Sequence, residues 1–211
     1  MRPRRLLIPF ALALFAAGCV DQTGPSLTGV QPPLASVASY TGVHILRQSP
    51  TAPRLRAYRT SFWARRGAQT TLFLNYRPAP GQWLGDPFLR FRIPINGLVA
   101  GANGVPLDRG DSVRITLTID SLTFAVDFQP SGVLFSQSSP AQLAIWYQDA
   151  NPDLNGDGVV DGTDRMLEQQ LAIWSRGTKT DAWRQLASRN DPTQQVVASN
   201  VYHFSQYAVS W

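Results

Sequence analysis

Residues 151–170, NPDLNGDGVVDGTDRMLEQQ, gather Asp153, Asn155, Asp157, Asp161 and Asp164 into one short stretch punctuated by Gly156, Gly158 and Gly162. In a tightly curled loop alternate residues aim their side-chain oxygens inward. A hard divalent cation takes about six to eight such oxygens at roughly 2.4 Å. Without a cation the crowded carboxylates repel one another, and an ion at their centre relieves that repulsion. Other chemistry has no comparable support. His44 and His203 are the two histidines of the chain, and neither sits beside a recognisable nucleophile. Glycoside hydrolysis needs two carboxylates flanking one bond. Glu168 is the single Glu, and Asp120 and Asp127 fall near a hairpin with nothing to mark them as a pair. The segment GLVAGANG lacks the Lys and Ser/Thr of a phosphate-cradling loop. The reading is therefore non-catalytic.

The spacing D-x-N-x-D-G-x-V-x-x-x-D resembles the calcium loop of EF-hands and, more specifically, one dockerin repeat. That resemblance implies a calcium site in which Asp153, Asn155 and Asp157 take positions 1, 3 and 5 and Gly158 makes the sharp turn at position 6. Val159 offers its backbone carbonyl from position 7, Val160 is the apolar residue at position 8, Asp161 acts at position 9 through water, and Asp164 closes the site at position 12. It further implies a short helix from Gly162 to about Gln170. Asp is shorter than the bidentate Glu of sensor loops, which places affinity in the range of about 0.1–1 mM given for extracellular modules. Dockerins carry two repeats and this chain has one, so cohesin binding does not carry over. The alternative is an acidic surface turn that holds no ion. Given an ion, a structural clip fits better than a switch, because there is no paired loop and no Met-rich groove to expose.

The elements that must position this loop read as strands. SVRITLTID alternates Val113, Ile115, Leu117 and Ile119 with polar residues, the period of a half-buried strand. Leu122, Phe124, Val126 and Phe128 continue in shifted phase after Asp120 and Ser121, which predicts an antiparallel hairpin. Further strands are expected at 43–47, 54–63, 70–76, 88–93, 141–147, 171–174, 183–187, 196–201 and 207–211, separated by turn chemistry such as PAPGQ, NGLVAGANG and QPSG. The tetrapeptide LAIW recurs at 143–146 and 171–174 on either side of the acidic loop, which suggests that loop and helix bridge neighbouring strands. About ten short strands with almost no helix point to two antiparallel sheets packed face to face. Six Trp and ten Phe supply the apolar area for such a core. The aromatic rings could instead form a carbohydrate platform, and packing is the favoured reading of the Trp side chains.

The remaining sequence concerns location and charge. MRPRRLLIPFALALFAAGC opens with basic residues, then an apolar run from Leu6 to Ala17, then small residues before Cys19, the layout of a secretory signal and too short a run to span a bilayer comfortably. It resembles bacterial lipoprotein signals, with Ala16, Ala17, Gly18 and Cys19 in the lipobox; Ala16 departs from the usual Leu. The resemblance implies a signal peptide over 1–18, lipidation of Cys19, a membrane attachment to which each buried methylene contributes about 0.8 kcal/mol, and an extracytoplasmic location in the cell envelope. Residues 19–41, rich in Pro, Gly, Ser and Thr, read as a tether, leaving 42–211 as the folded body. The single Cys excludes an internal disulfide and a Cys-based zinc or redox site. The formal charge of +5 falls to +2, 16 basic against 14 acidic groups, without Arg2, Arg4 and Arg5, a poor balance for a nucleic-acid binder.

RIPINGLV (92–99), FQPSGVLFSQSSPAQLAIWY (128–147) and VYHFSQYAVSW (201–211) resemble ZU5-type β-sandwich modules, which implies a scaffold or interaction role toward a protein or polysaccharide. The fold expected is thus all-β, an antiparallel ZU5/Ig-like sandwich with one short helix after the calcium loop at 153–164. Arg54, Arg56, Arg59, Arg65 and Arg66, interleaved with Tyr58, Phe62 and Trp63, fit either an anionic partner or solvated charge along an edge strand.

Overall fold

The computed structural model describes residues 42–211. The expected signal peptide, lipidation site and tether lie outside those residues. The described residues form an all-β sandwich of antiparallel sheets. One sheet places its strands in the order β1 (Arg59–Arg65), β5 (Ser112–Ile119), β6 (Ala125–Gln129), β13 (Gln206–Ser210), β9 (Ala172–Arg176) and β10 (Arg184–Gln185). The other runs β11 (Ser188–Asp191), β12 (Val196–Val201), β8 (Ala141–Trp146), β3 (Pro87–Ile93) and β2 (Thr70–Asn75). A small ladder joins β4 (Leu98–Ala100) to β7 (Leu134–Phe135), and α1 spans Gly162–Gln169.

The alternation read in residues 112–128 forms the β5–β6 pair, in register from Thr116 opposite Gln129 to Ile119 opposite Val126. Ile115, Leu117, Phe124, Val126 and Phe128 are buried, but Leu122 is 74% exposed. It sits in the connecting turn, where the Asp120 carboxylate accepts from the amides of Leu122 (2.8 Å) and Thr123 (3.0 Å). Such an Asx turn fixes the backbone without regard to the hydropathy of the residue it carries.

Three expected strands are absent or cut short, 183–187 keeping only the two residues of β10. Residues 43–47 make isolated bridges, Ile45 to Ser210 and Arg47 to Thr123, with Leu46 buried between them. Residues 54–58 contribute one bridge, Leu55 to Tyr76, and β1 starts at Arg59. β11, SRND, carries no apolar alternation and was not legible in sequence; it forms as the edge strand because β12, paired with β8 on one side, offers its other side to Ser188 through Asp191.

The core is built by Phe and Tyr rather than Trp. Phe128, fully buried, stacks on Phe204 at 4.9 Å and 13°, meets Phe91 at 4.7 Å, and abuts the edge of Tyr207 at 6.0 Å. Tyr207 donates its hydroxyl hydrogen bond to the carbonyl of His203. That bond satisfies the phenol inside the core, where burial pushes its pKa well up. The HFS-x-Y motif therefore acts through Phe204 and Tyr207, both buried, while His203 faces solvent. Four of the six Trp are half-buried, as the packing reading expects, and Trp211 packs against the core, whereas Trp63 is 65% and Trp83 87% exposed. Truncating Phe128 to Ala removes a ring at the centre of this cluster and is expected to cost about 3–5 kcal/mol, measured by urea unfolding; a loss below about 1 kcal/mol would mean the sheets close over the gap.

Candidate metal centre

The acidic loop lies where the chain leaves one sheet for the other. β8 belongs to the five-stranded sheet and β9 to the six-stranded sheet, so the loop and α1 cross between layers and do not bridge neighbouring strands as the LAIW repeat suggested. Both copies of the tetrapeptide are core-forming, Leu143 and Ile145 in one sheet and Leu171 and Ile173 on the other side. The similarity reflects two similar burial environments.

Locally the chain curls as its glycines dictate. Gly156 and Gly158 adopt φ of 76° and 87°, a left-handed conformation that side-chain-bearing residues resist. The Asp153 carboxylate fills the inside of this curl. One oxygen accepts from the amides of Gly156 (2.7 Å) and Asp157 (3.2 Å), the other from Gly158 (2.9 Å). Asn155 donates from its side-chain amide to Asp157 at 2.8 Å, its own oxygen accepts from the Asp157 amide at 3.0 Å, and Asp157 in turn accepts from the Val159 amide at 2.8 Å. Val159 and Val160 are 59% and 58% exposed; there is no partner loop for the position-8 side chain to pack upon.

The second limb is a helix cap. Asp161 is the N-cap of α1 and accepts from the Thr163 amide at 2.7 Å, while Asp164 at the third helical position accepts from the Asp161 amide at 2.8 Å, a reciprocal capping box. The other Asp164 oxygen accepts from the amides of Leu154 (2.8 Å) and Asn155 (3.3 Å) on the first limb. Asp164 is 2% exposed. Removal from water pushes its carboxyl up, but the backbone N–H groups of Asp161, Leu154 and Asn155 outweigh that and hold it below the ordinary carboxylate value. This one side chain ties both ends of the loop together.

The donor set is all oxygen, and the turn at Gly158 is the one such a loop requires, so the residues fit a hard divalent cation in chemistry and in curl. Asp153, Asn155 and Asp157 share one limb, Asp161 and Asp164 the other. Their oxygens are engaged with loop amides, and no three His, Cys, Asp or Glu side chains among the described residues are grouped closely enough to hold a metal ion. Sequence reasoning missed the residues that fix the far end of α1: Asn190 donates to the carbonyl of Glu168 at 2.6 Å and accepts from the Tyr147 hydroxyl at 3.1 Å. Tyr147 follows the end of β8 and Asn190 lies on β11, and no spacing rule connects them to the loop.

The other sequence candidates are dispersed. His44 stacks on Trp211 at 5.4 Å. Arg65 donates to the carbonyl of Gly110 at 3.0 Å, and Arg66 to those of Val99 (3.2 Å) and Leu107, so both brace turns. Arg59 and Trp63 stand on the outer face of β1, opposite Thr118 and Arg114, whereas Arg54 and Arg56 precede that strand. No helix among the described residues is long and apolar enough to cross a membrane.

A buried polar cluster lies near the loop. One Asp149 oxygen and the Tyr76 hydroxyl are enclosed without a hydrogen-bond partner. Desolvation, then the nearby Asp86 carboxylate, raises the Asp149 pKa. No family model matches the chain, and neither the curated proteins nor the solved structures hold a match to it.

Two expectations follow from these carboxylates. Asp164→Ala leaves three part-buried amides without that acceptor and removes a cap, and in the presence of chelator it should lower stability by about 1–3 kcal/mol in denaturant unfolding; an unchanged midpoint would contradict the clasp. A carboxyl whose folded pKa is raised binds a proton more readily folded than unfolded, so its ionisation opposes folding above the unfolded value and that penalty fades as pH falls through the folded value. Asp149→Asn should therefore raise Tm at pH 7 and change it little at pH 3; the reverse trend would contradict the assignment.

Proposed function

We propose that this chain is a calcium-binding, non-catalytic β-sandwich module of the cell envelope, lipid-anchored through Cys19 and acting as a structural or binding unit. The observation that carries the proposal is the loop at 153–164. Its dockerin-like spacing coincides with a left-handed turn at Gly158 and a buried carboxylate, Asp164, that joins its two limbs. Asp153, Asn155, Asp157, the Val159 carbonyl, Asp161 and Asp164 would hold the ion. Calcium supplies charge neutralisation and cross-linking there. The chain's own contribution is to fix the crossing between the sheets, through the cap on α1 and the buried Leu167 and Leu171. Attachment to a membrane rests on the lipobox and its single Cys.

Calcium at tenfold its Kd should stabilise the fold by about 1.4 kcal/mol, visible as a rise in Tm that chelator reverses. Asp153→Ala with Asp157→Ala should abolish the difference. A melting curve indifferent to calcium and chelator would overturn the calcium role.

A carbohydrate-binding role has an observation of its own. Trp63 and Trp83 expose most of their surface, and exposed indole faces are suited to stacking on sugar rings.

A further inference from the structure

The outer face of the five-stranded sheet holds a second feature. The strand registers place Phe73, Arg90, Ala144, Ala198 and Arg189 opposite one another in a single row across β2, β3, β8, β12 and β11. The two alanines are too short to fill the middle of the row, and an open trough of about 490 Å³ lies over them, flanked by Arg90 and Arg189. In the next row Arg92, Gln142 and Asn200 stand opposite one another, and Gln142 and Asn200 also line the trough.

The charge here is uncompensated. No carboxylate lines the trough, and neither the Arg90 nor the Arg189 guanidinium has a hydrogen-bond or ion-pair partner among the described residues. The nearest acid on β11, Asp191, spends one oxygen on the amides of Thr193 and Gln194 at 3.1 Å each. Three strand spacings separate the two guanidinium-bearing positions, roughly 14 Å. A single small anion does not reach both; a chain with repeated negative groups does.

We propose that this trough binds an acidic oligosaccharide, with Arg90 and Arg189 each engaging a carboxylate of the sugar chain and Gln142 and Asn200 meeting its hydroxyls. Guanidinium pairs bidentately with carboxylate, and a side-chain amide both donates and accepts, as sugar hydroxyls require. The alanine floor admits the flat face of a saturated ring. A peptide added to a sheet needs a free strand edge, whereas β3, β8 and β12 are paired on both sides. Single-stranded nucleic acid needs aromatic platforms along its path, and no aromatic residue lines the trough itself, with Phe73 and Trp146 lying beyond it. The proposal goes beyond the carbohydrate reading above, since neither Trp63 nor Trp83 lines the trough, and it is independent of the calcium loop.

The test is calorimetric titration of the full-length protein with oligogalacturonate, in chelator so that the loop's ion plays no part. Binding that weakens with added salt, falls on methyl esterification of the sugar, and drops about tenfold or more in Arg90→Gln/Arg189→Gln but not in the equal-charge control Arg54→Gln/Arg56→Gln would support it. Circular dichroism and Tm establish that each variant is folded. Undiminished binding by Arg90→Gln/Arg189→Gln, or equally tight binding of poly-glutamate or single-stranded DNA, would overturn it. Loss confined to Trp63→Ala/Trp83→Ala would overturn the trough while sparing a carbohydrate role elsewhere, and no binding of either the acid or its ester would overturn both.

Discussion

A carboxylate removed from water must find hydrogen-bond donors or lose its charge, and Asp164 meets that constraint in a way that organises everything around it. Its donors come from both limbs of the acidic loop, Leu154 and Asn155 before the glycines and Asp161 after them. The same contact caps α1, which lays Leu167 into the core and delivers the chain to Leu171 and β9. The passage from one sheet to the other is thus set by one side chain and the amides it collects. A cation bound in the curl would act on a loop whose shape is already held by backbone hydrogen bonds.

The sheets meet over an interior in which Phe and Tyr rings cluster among aliphatic side chains, and β13 with the turn before it helps to close it. Phe204 and Tyr207 belong to the last strand and the turn before it, yet they touch Phe128 and Phe91 from both layers. Tryptophan sits at the margin of that interior or outside it: Trp174, half-buried, donates to the carbonyl of Ser210 at 3.2 Å and Trp183 lies under Arg176 at 4.5 Å. The two outer faces differ accordingly. One carries aromatic residues and Arg along its edge strand β1, the other a row of small side chains between two cationic ones.

The acidic loop, its helix and most strands were legible because each is written in neighbouring residues: glycine at a left-handed turn, Asp at a cap, alternation along β5 and β6. The elements that escaped are held by partners distant in the chain. Residues 43–47 have strand-like alternation but meet only single bridging residues, while polar SRND becomes β11 because β12 lies beside it. Leu122 fits the alternation and yet sits in a turn fixed by Asp120.

By itself the sequence determined the all-β character, the place of the helix and the oxygen-rich loop, since these follow from local backbone preference and from side chains a few positions apart. Tertiary structure alone decided that the loop joins different sheets, that Phe rather than Trp fills the core, and that Arg90 faces Arg189 across two alanines. Strand order and register bring together residues far apart in the chain, and no local pattern encodes which strand will lie beside which.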